Sequence, residues 1–222
     1  MYPDLALALA LGYVLGGLPF GFWISKLYGI ADIRRCGSGN PGATNVWRTA
    51  GKSAGAIVLA LDSAKGATAV ILATALITAE HDAVGSHVYL RILAGAGAIL
   101  GHIYSPWLRF RGGKGVNTAL GVFLTLLPLE TLAAALVFVL TVTISRYVSL
   151  GSVLAALSLI VILALEYVLK HRAPHEAVLA LSAALAIVII YTHRGNLRRI
   201  RDGVERKFNT SDSADPADQE MR

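Results

Sequence analysis

The chain has 222 residues, of which 55% are hydrophobic and only 15% charged, with a mean hydropathy of +0.60. A soluble domain carries roughly a quarter charged residues, so this composition excludes an ordinary water-soluble domain and points to a lipid-embedded chain. The formal net charge of +6 would suit either a nucleic-acid partner or a membrane topology bias, and the positions of the charges favour the second.

A transmembrane helix needs roughly 20 apolar residues. The first apolar stretch, 4–28, has Asp4 as its first charge, lacks a basic leader and is too long for a signal peptide; it reads as a retained first span. Cys36 follows as the single cysteine, which permits no internal disulfide and reads as a small buried filler rather than a nucleophile.

The first stretch that looks unlike a lipid-facing helix is Gly37-Ser38-Gly39-Asn40-Pro41-Gly42-Ala43-Thr44-Asn45. Three glycines in six residues let backbone N–H groups converge on an anion. Asn40 and Pro41 are expected as N-cap and first residue of an amphipathic helix. On it Ala43, Val46, Trp47, Ala50, Ala54, Ile57, Val58 and Leu61 form one face, and Thr44, Arg48 and Lys52 line another. A helix start beside a glycine loop, with Arg48 about two turns on, makes a phosphate seat. The same helix could instead lie in the interface with its cations on anionic headgroups, but the glycine loop favours a specific anion site. Gly51-Lys52-Ser53 ends like a nucleotide-binding loop, yet Val46 stands where that motif requires glycine, so no ATP site is expected.

Further spans are predicted at 66–80, 86–104, 116–127, 131–145, 150–169 and 176–192. Pro128 and Glu130 split the pair at 116–127 and 131–145, which could alternatively form one kinked helix. Between the third and fourth spans runs a second unusual stretch, Gly101 to Thr118, in which Gly112, Gly113 and Gly115 surround Lys114. His102 and Ser105 stand three apart there, a weak base–nucleophile pattern with no acid spaced to orient the histidine; a structural role for His102 is preferred. The third stretch, Tyr191 to Ile200, places His193 and Asn196 three apart where the last span leaves the membrane, and runs on to Glu205. A stop-transfer flank explains its arginines but not these three residues.

Seven spans put alternate loops on opposite sides. One side then carries all of the 20 Lys and Arg except Arg91, Lys170 and Arg172, which fall on or near the other side beside Glu80, Asp82 and Glu176. The positive-inside rule sets the N-terminus outside and the C-terminus in the cytosol, and the two-span reading of 116–145 fits this best. Residues 1–208 are read as a single transmembrane domain and 209–222, polar and acidic, as a disordered cytosolic tail. No Cys/His array has metal-ligand spacing, so neither a metal nor a cofactor is expected.

Three groups of residues together closely resemble the PlsY family of acyl-phosphate:glycerol-3-phosphate acyltransferases. They are Gly37-Ser38-Gly39-Asn40-Pro41-Gly42-Ala43-Thr44-Asn45-Val46, Gly101-His102-x-x-Ser105 with Phe110-Arg111-Gly112-Gly113-Lys114-Gly115-Val116, and His193-Arg194-x-Asn196-Leu197-x-Arg199-Ile200. The likeness runs from Gly16-Gly17-x-Pro19-Phe20-Gly21 through Asp62-x-x-Lys65-Gly66 to Gly203-x-Glu205. It implies an all-α polytopic membrane fold of about seven helices with an interfacial amphipathic helix, in the bacterial inner membrane with a cytosolic active site. The implied reaction moves an acyl group from acyl phosphate to the sn-1 hydroxyl of glycerol 3-phosphate. It releases lysophosphatidic acid and inorganic phosphate, as the first step of phospholipid synthesis. The expected partners are these two substrates and membrane lipids, with an acyl-phosphate-producing enzyme as a candidate and no nucleic acid.

Carried over residue by residue, the resemblance puts Ser38, Arg48, Lys114, His193 and Asn196 in the substrate site. Arg48 and Lys114 are expected on the acceptor's phosphate. Ser38, His193 and Asn196 would orient the donor, with backbone amides of the glycine loops, including Gly112, Gly113 and Gly115, holding its phosphate. Asn40, Thr44 and Asn45 are second choices for substrate contact; Lys65 and Glu205 are expected to lock segments by charge pairing, with His102 and Ser105 in support. The proton of the attacking hydroxyl is expected to pass to the donor's own phosphate, with His193 as the alternative acceptor. A transporter for an organic phosphate and a lipid-binding scaffold are the rival classes, but the polar groups gather at one surface rather than at mid-membrane.

Overall fold

A computed structural model of the chain describes residues 2–78, 86–170 and 176–208, and among these all regular structure is helical. Glu80, Asp82, His171, Arg172 and the tail from 209, on which parts of the topology argument fall, lie outside the described residues. The chain groups into two compact units, Met1–Thr125 and Leu126–Asn209.

In the first unit, the initial apolar stretch is two helices, α1 (Tyr2–Gly17) and α2 (Phe20–Leu27). Pro19 lacks an N–H and disfavours helical backbone before it, so the helix stops at Gly17 and restarts after the proline. A short 3-10 turn over Ile33–Arg35 leads to α3 (Ala43–Ala50). The amphipathic helix expected to run on past residue 50 breaks there, because Gly51 adopts φ +101, and α4 (Lys52–Thr78) starts immediately. The second span thus begins at Lys52 rather than 66, and Lys65 belongs to a helix and not to a loop. The remaining helices of this unit are α5 (Ser86–Ile103) and α6 (Val116–Leu126).

Close packing of small residues holds these helices together. Gly12 and Gly16 of α1 lie against the backbone of Ala94 and Ala98 in α5, while Gly97 and Gly101 of α5 lie against Leu9 and Tyr13 of α1. A side chain at any of the four would overlap a facing carbonyl oxygen. In lipid the hydrophobic effect does not press helices together, so such backbone contact supplies the association through dispersion and dipole interactions. Gly66 and Gly121 make the same kind of approach between α4 and α6. Under α3, Ile33, Ala43, Val46, Ala54 and Val58 form an apolar cluster, with Cys36 partly buried against it.

The second unit contains α7 (Pro128–Ser145), α8 (Val148–Lys170) and α9 (Glu176–Arg201). Leu127 leaves the helical conformation (φ -143, ψ 70) and Pro128 takes the first position of α7, so 116–145 forms two helices and not one kinked helix. A left-handed Arg146 ends α7, its amide bonded to Val142 O at 2.8 Å. Leu129, Leu132, Leu136, Leu140 and Ile144 stand exposed at helical spacing along α7, a face suited to hydrocarbon rather than water. Among the described residues, six helical stretches are long and apolar enough to cross a bilayer: Asp4–Leu27, Lys52–Ala75, His87–Leu108, Pro128–Ser145, Val148–Leu169 and Glu176–Arg201. The shorter α6 is apolar too.

Candidate active site

The glycine loop is ordered by one buried side chain. Asn45, in the first turn of α3, accepts a hydrogen bond from Ser38 N at 2.9 Å through Oδ1 and donates through Nδ2 to Cys36 O at 3.0 Å and Ile33 O at 3.4 Å. Gly37 and Gly39 take φ +58 and +71, left-handed backbone that glycine adopts without strain. Asn40 is not the N-cap. Its Oδ1 accepts from Gly42 N at 2.8 Å in a side-chain turn, and Gly42, which has no side chain to offer, caps α3. No side chain caps α3 from the N-cap position, but Gly42 N and Asn45 N are already bonded, so Ala43 N and Thr44 N are the amides this helix start offers to an anion. The approach is fixed by Asp32, which receives Arg34 Nε at 2.9 Å and Nη2 at 2.8 Å and also caps the 3-10 turn. These Arg34 hydrogen bonds hold the Asp32 carboxyl below the usual carboxylate range. Arg48, on α3, and Lys114, after the second loop, are both half-buried.

The break between α1 and α2 takes the carbonyls of Gly17 and Leu18 out of the regular helical ladder, and Phe20 N reaches Leu18 O at 3.1 Å. Ser105 Oγ donates to Gly17 O at 2.6 Å, and Lys65 Nζ to Leu18 O at 2.8 Å. Ser105 is thus committed to backbone, which removes the base–nucleophile reading of His102 and Ser105. Lys65 also pairs with Asp62 Oδ1 at 2.7 Å and lies 5.7 Å from the Phe20 ring centroid. His102 does have an acid beside it. Asp62 Oδ1 lies 3.6 Å from His102 Nδ1, brought by α4 from forty residues away in sequence.

The second loop leans on the end of α5. Gly112 N donates to Ile103 O at 2.9 Å and Gly113 N to His102 O at 3.0 Å. Those two amides are spent on backbone carbonyls, so they do not supply donors to a phosphate as the sequence suggested. Their glycines serve a packing need: a Cβ at 112 would overlap His102 O, and one at 113 the His102 ring. Gly115, at φ +85, turns the chain into α6. A small hollow in this unit is lined by Gly17, Leu18, Pro41, Asp62, Lys65, His102, Ser105, Gly112 and Gly113, among others. The first two sequence stretches thus meet at one place, Pro41 from one and Gly112–Gly113 from the other.

His193, Asn196 and Glu205 belong to the second unit, where α9 carries the first two. His193 is buried, and its Nδ1 donates to Ile189 O at 2.8 Å. A carbonyl oxygen can only accept, so that contact places a proton on Nδ1. Glu205 folds back on α9. Its Oε1 accepts from Asn196 Nδ2 at 2.6 Å and from Ser149 Oγ at 3.0 Å, and its Oε2 from Arg199 Nε at 2.7 Å. Burial alone would raise the Glu205 pKa. The three hydrogen bonds and the Arg199 charge outweigh it and hold the carboxyl below its ordinary value.

Sequence reasoning left Asp62 off the list of site residues. A span read as starting at 66 leaves Asp62 and Lys65 in a loop; with the helix starting at Lys52 they are an acid and a base three apart inside it, costly unless paired or functional.

A glycine-loop helix start, a second loop built on a histidine and several helices apolar and long enough to cross a bilayer define a multi-pass membrane protein. A family model described as Glycerol-3-phosphate acyltransferase matches residues 6–203. The glycerol-3-phosphate acyltransferase of Myxococcus xanthus (strain DK1622) is 47% identical over 198 residues, covering 89% of this chain and 96% of that protein. That of Zymomonas mobilis subsp. mobilis is 38% identical, covering 91% and 94%. The crystal structure of PlsY (YgiH), an integral membrane glycerol 3-phosphate acyltransferase, in its glycerol 3-phosphate form superposes with a TM-score of 0.80 at 36% identity. The match covers 93% of this chain and 96% of that one. The lysophosphatidic acid form gives 0.78 at 34% identity, covering 94% and 97%. The chain belongs to the glycerol-3-phosphate acyltransferase family, in the PlsY branch.

Proposed function

We propose that the chain transfers an acyl group from acyl phosphate to the sn-1 hydroxyl of glycerol 3-phosphate, yielding lysophosphatidic acid and inorganic phosphate. The observation that carries this is the start of α3: an amide-bearing helix end without a side-chain cap, behind a glycine loop held open by Asn45. Such a site suits a dianionic phosphate.

Arg48 and Lys114 bind the acceptor's phosphate, with the first-turn amides of α3 assisting. Ser38 orients the acyl phosphate, and so do His193 and Asn196. Gly115 and Asn40 shape the loops that carry these groups, and Thr44, in the first turn of α3, is a second choice for substrate contact. The 1-hydroxyl oxygen attacks the acyl carbon, the carbonyl–phosphate C–O bond breaks, and the departing phosphate takes the hydroxyl proton. Because acyl phosphate is a mixed anhydride, phosphate is already a good leaving group, and catalysis reduces to positioning and charge stabilisation.

Residues 1–208 act as one acyltransferase domain, a reading supported by the family match over 6–203, and 209–222 form a cytosolic tail. The N-terminus lies outside and the active site faces the cytosol of a bacterial inner membrane, supported by the bias of Lys and Arg to one set of loops. A membrane-associated enzyme that makes acyl phosphate is the natural partner, since the donor is apolar at one end and hydrolyses in water.

Purified protein given palmitoyl phosphate and labelled glycerol 3-phosphate should form lysophosphatidic acid and release one phosphate per acyl group, with no product from palmitoyl-CoA. Product from palmitoyl-CoA alone would reject the donor assignment.

A further inference from the structure

We propose that Asp62 and His102 form a positioning pair that sets the Lys114 loop for the acceptor's phosphate. The proposal rests on the reading of Lys114 given above and adds the residues through which that lysine is placed.

Asp62 and Lys65 are 1% and 6% exposed on a helix that crosses the membrane, where charges are retained at a cost. Lys65 has a structural role in reaching Leu18 O at the α1–α2 break, and Asp62 offsets its charge. That role does not involve His102. Yet the same carboxylate oxygen that pairs with Lys65 lies 3.6 Å from His102 Nδ1, beyond hydrogen-bond length but close enough for its charge to favour that face of the imidazole. The ring's other edge stands directly against Gly113, where a Cβ would collide with Nε2.

The loop leans on this residue twice. Gly113 N bonds the His102 carbonyl at 3.0 Å, and the ring closes the space beside the Gly113 Cα. Gly112 N bonds the neighbouring Ile103 carbonyl at 2.9 Å. Two glycines carry no side chains to seat themselves, so the path into Lys114 is set by what they touch. The order of control is Asp62 to His102, His102 to Gly113, and Gly113 to the lysine that follows it. A displaced lysine weakens its grip on a phosphate before it alters acyl transfer, so the signature is in acceptor affinity rather than in the chemical step.

His102→Asn keeps a donor near the position of Nδ1 for Asp62 but removes the ring edge beside Gly113. It should raise the KM for glycerol 3-phosphate about tenfold, hold kcat within about threefold and leave the KM for palmitoyl phosphate unchanged. Gly113→Ala, which pushes the ring from the other side, should give the same pattern, and so provides the test if His102→Asn does not fold. A Lys114→Ala variant should also raise the acceptor KM, and adding His102→Asn to it should raise it no further. A merely structural role predicts something else: less active protein, a lower kcat and unchanged KM values for both substrates. That outcome in both single variants, beside a raised acceptor KM in Lys114→Ala, overturns the proposal alone. An unchanged acceptor KM in Lys114→Ala overturns the reading of Lys114 and the proposal with it.

Discussion

Replacing Asn45 probes the glycine loop without touching any group assigned to the substrates' charges. Its carboxamide makes three hydrogen bonds, to Ser38 N, Cys36 O and Ile33 O, and the residue is 3% exposed. At a net value of about 1 kcal/mol each, Asn45→Ala costs roughly 3 kcal/mol of loop order. The cluster of Ile33, Ala43, Val46, Ala54 and Val58 beneath α3 is untouched, so the fold should persist. If the ordered loop is what turnover requires, kcat/KM falls by about a hundredfold, since about 1.4 kcal/mol is a factor of ten. Asn45→Asp is nearly isosteric but presents a carboxylate oxygen to the carbonyls of Cys36 and Ile33, where the amide had donated. It should be worse than alanine. Phosphate release from palmitoyl phosphate, measured on detergent-purified variants that elute as wild type does, reads both effects. An Asn45→Ala enzyme within twofold of wild type, or an aspartate variant more active than the alanine one, would refute the reasoning.

Two further outcomes follow from the packing and the titrating groups. Gly101→Leu should lower the yield of folded protein and the melting temperature sharply, because its Cβ overlaps Tyr13 O and lies 2.8 Å from Gly17 N; overpacking costs about 1–3 kcal/mol even without a backbone clash. Gly29→Ala, at φ +87 with nothing within 4 Å, should lose only about 1 kcal/mol of stability to added backbone strain, and thermal melts in one detergent compare them. Glu205 has a folded pKa below its unfolded one, so the folded state sheds its proton first and stability rises with pH between the two values. Its contribution should be full above about pH 4.5 and disappear as pH falls through the depressed folded value. Glu205→Gln should melt lower at pH 7 and lose less than wild type on acidification; parallel pH–melting curves for the two proteins would contradict this.

The spans were legible because an apolar run long enough to cross a bilayer needs no partner to be recognised, and α5, α8 and the start of α9 fall close to where hydropathy placed them. What hydropathy cannot register is a break inside such a run. Pro19 was visible, but the consequence, two carbonyls bonded by Ser105 and Lys65, depends on helices far away in sequence. His102 lacked an acid in its own segment for the same reason: α4 delivers Asp62 across the bundle. The glycine loops were recognised as loops by composition. Which of their amides face outward was not readable, and at Gly112 and Gly113 the amides turned out to be bonded to the end of α5. The family resemblance made Asn45 a second choice for substrate contact, whereas its side chain is taken up in ordering the loop.

The account turns on phosphate recognition at the start of α3, and binding measured without turnover addresses it most directly. Equilibrium binding of labelled glycerol 3-phosphate to the purified protein, with no acyl donor present, should saturate, be displaced by inorganic phosphate, and weaken at least tenfold in Arg48→Ala. Undiminished binding in a folded Arg48→Ala protein would place the acceptor's phosphate elsewhere and contradict the site proposed for it.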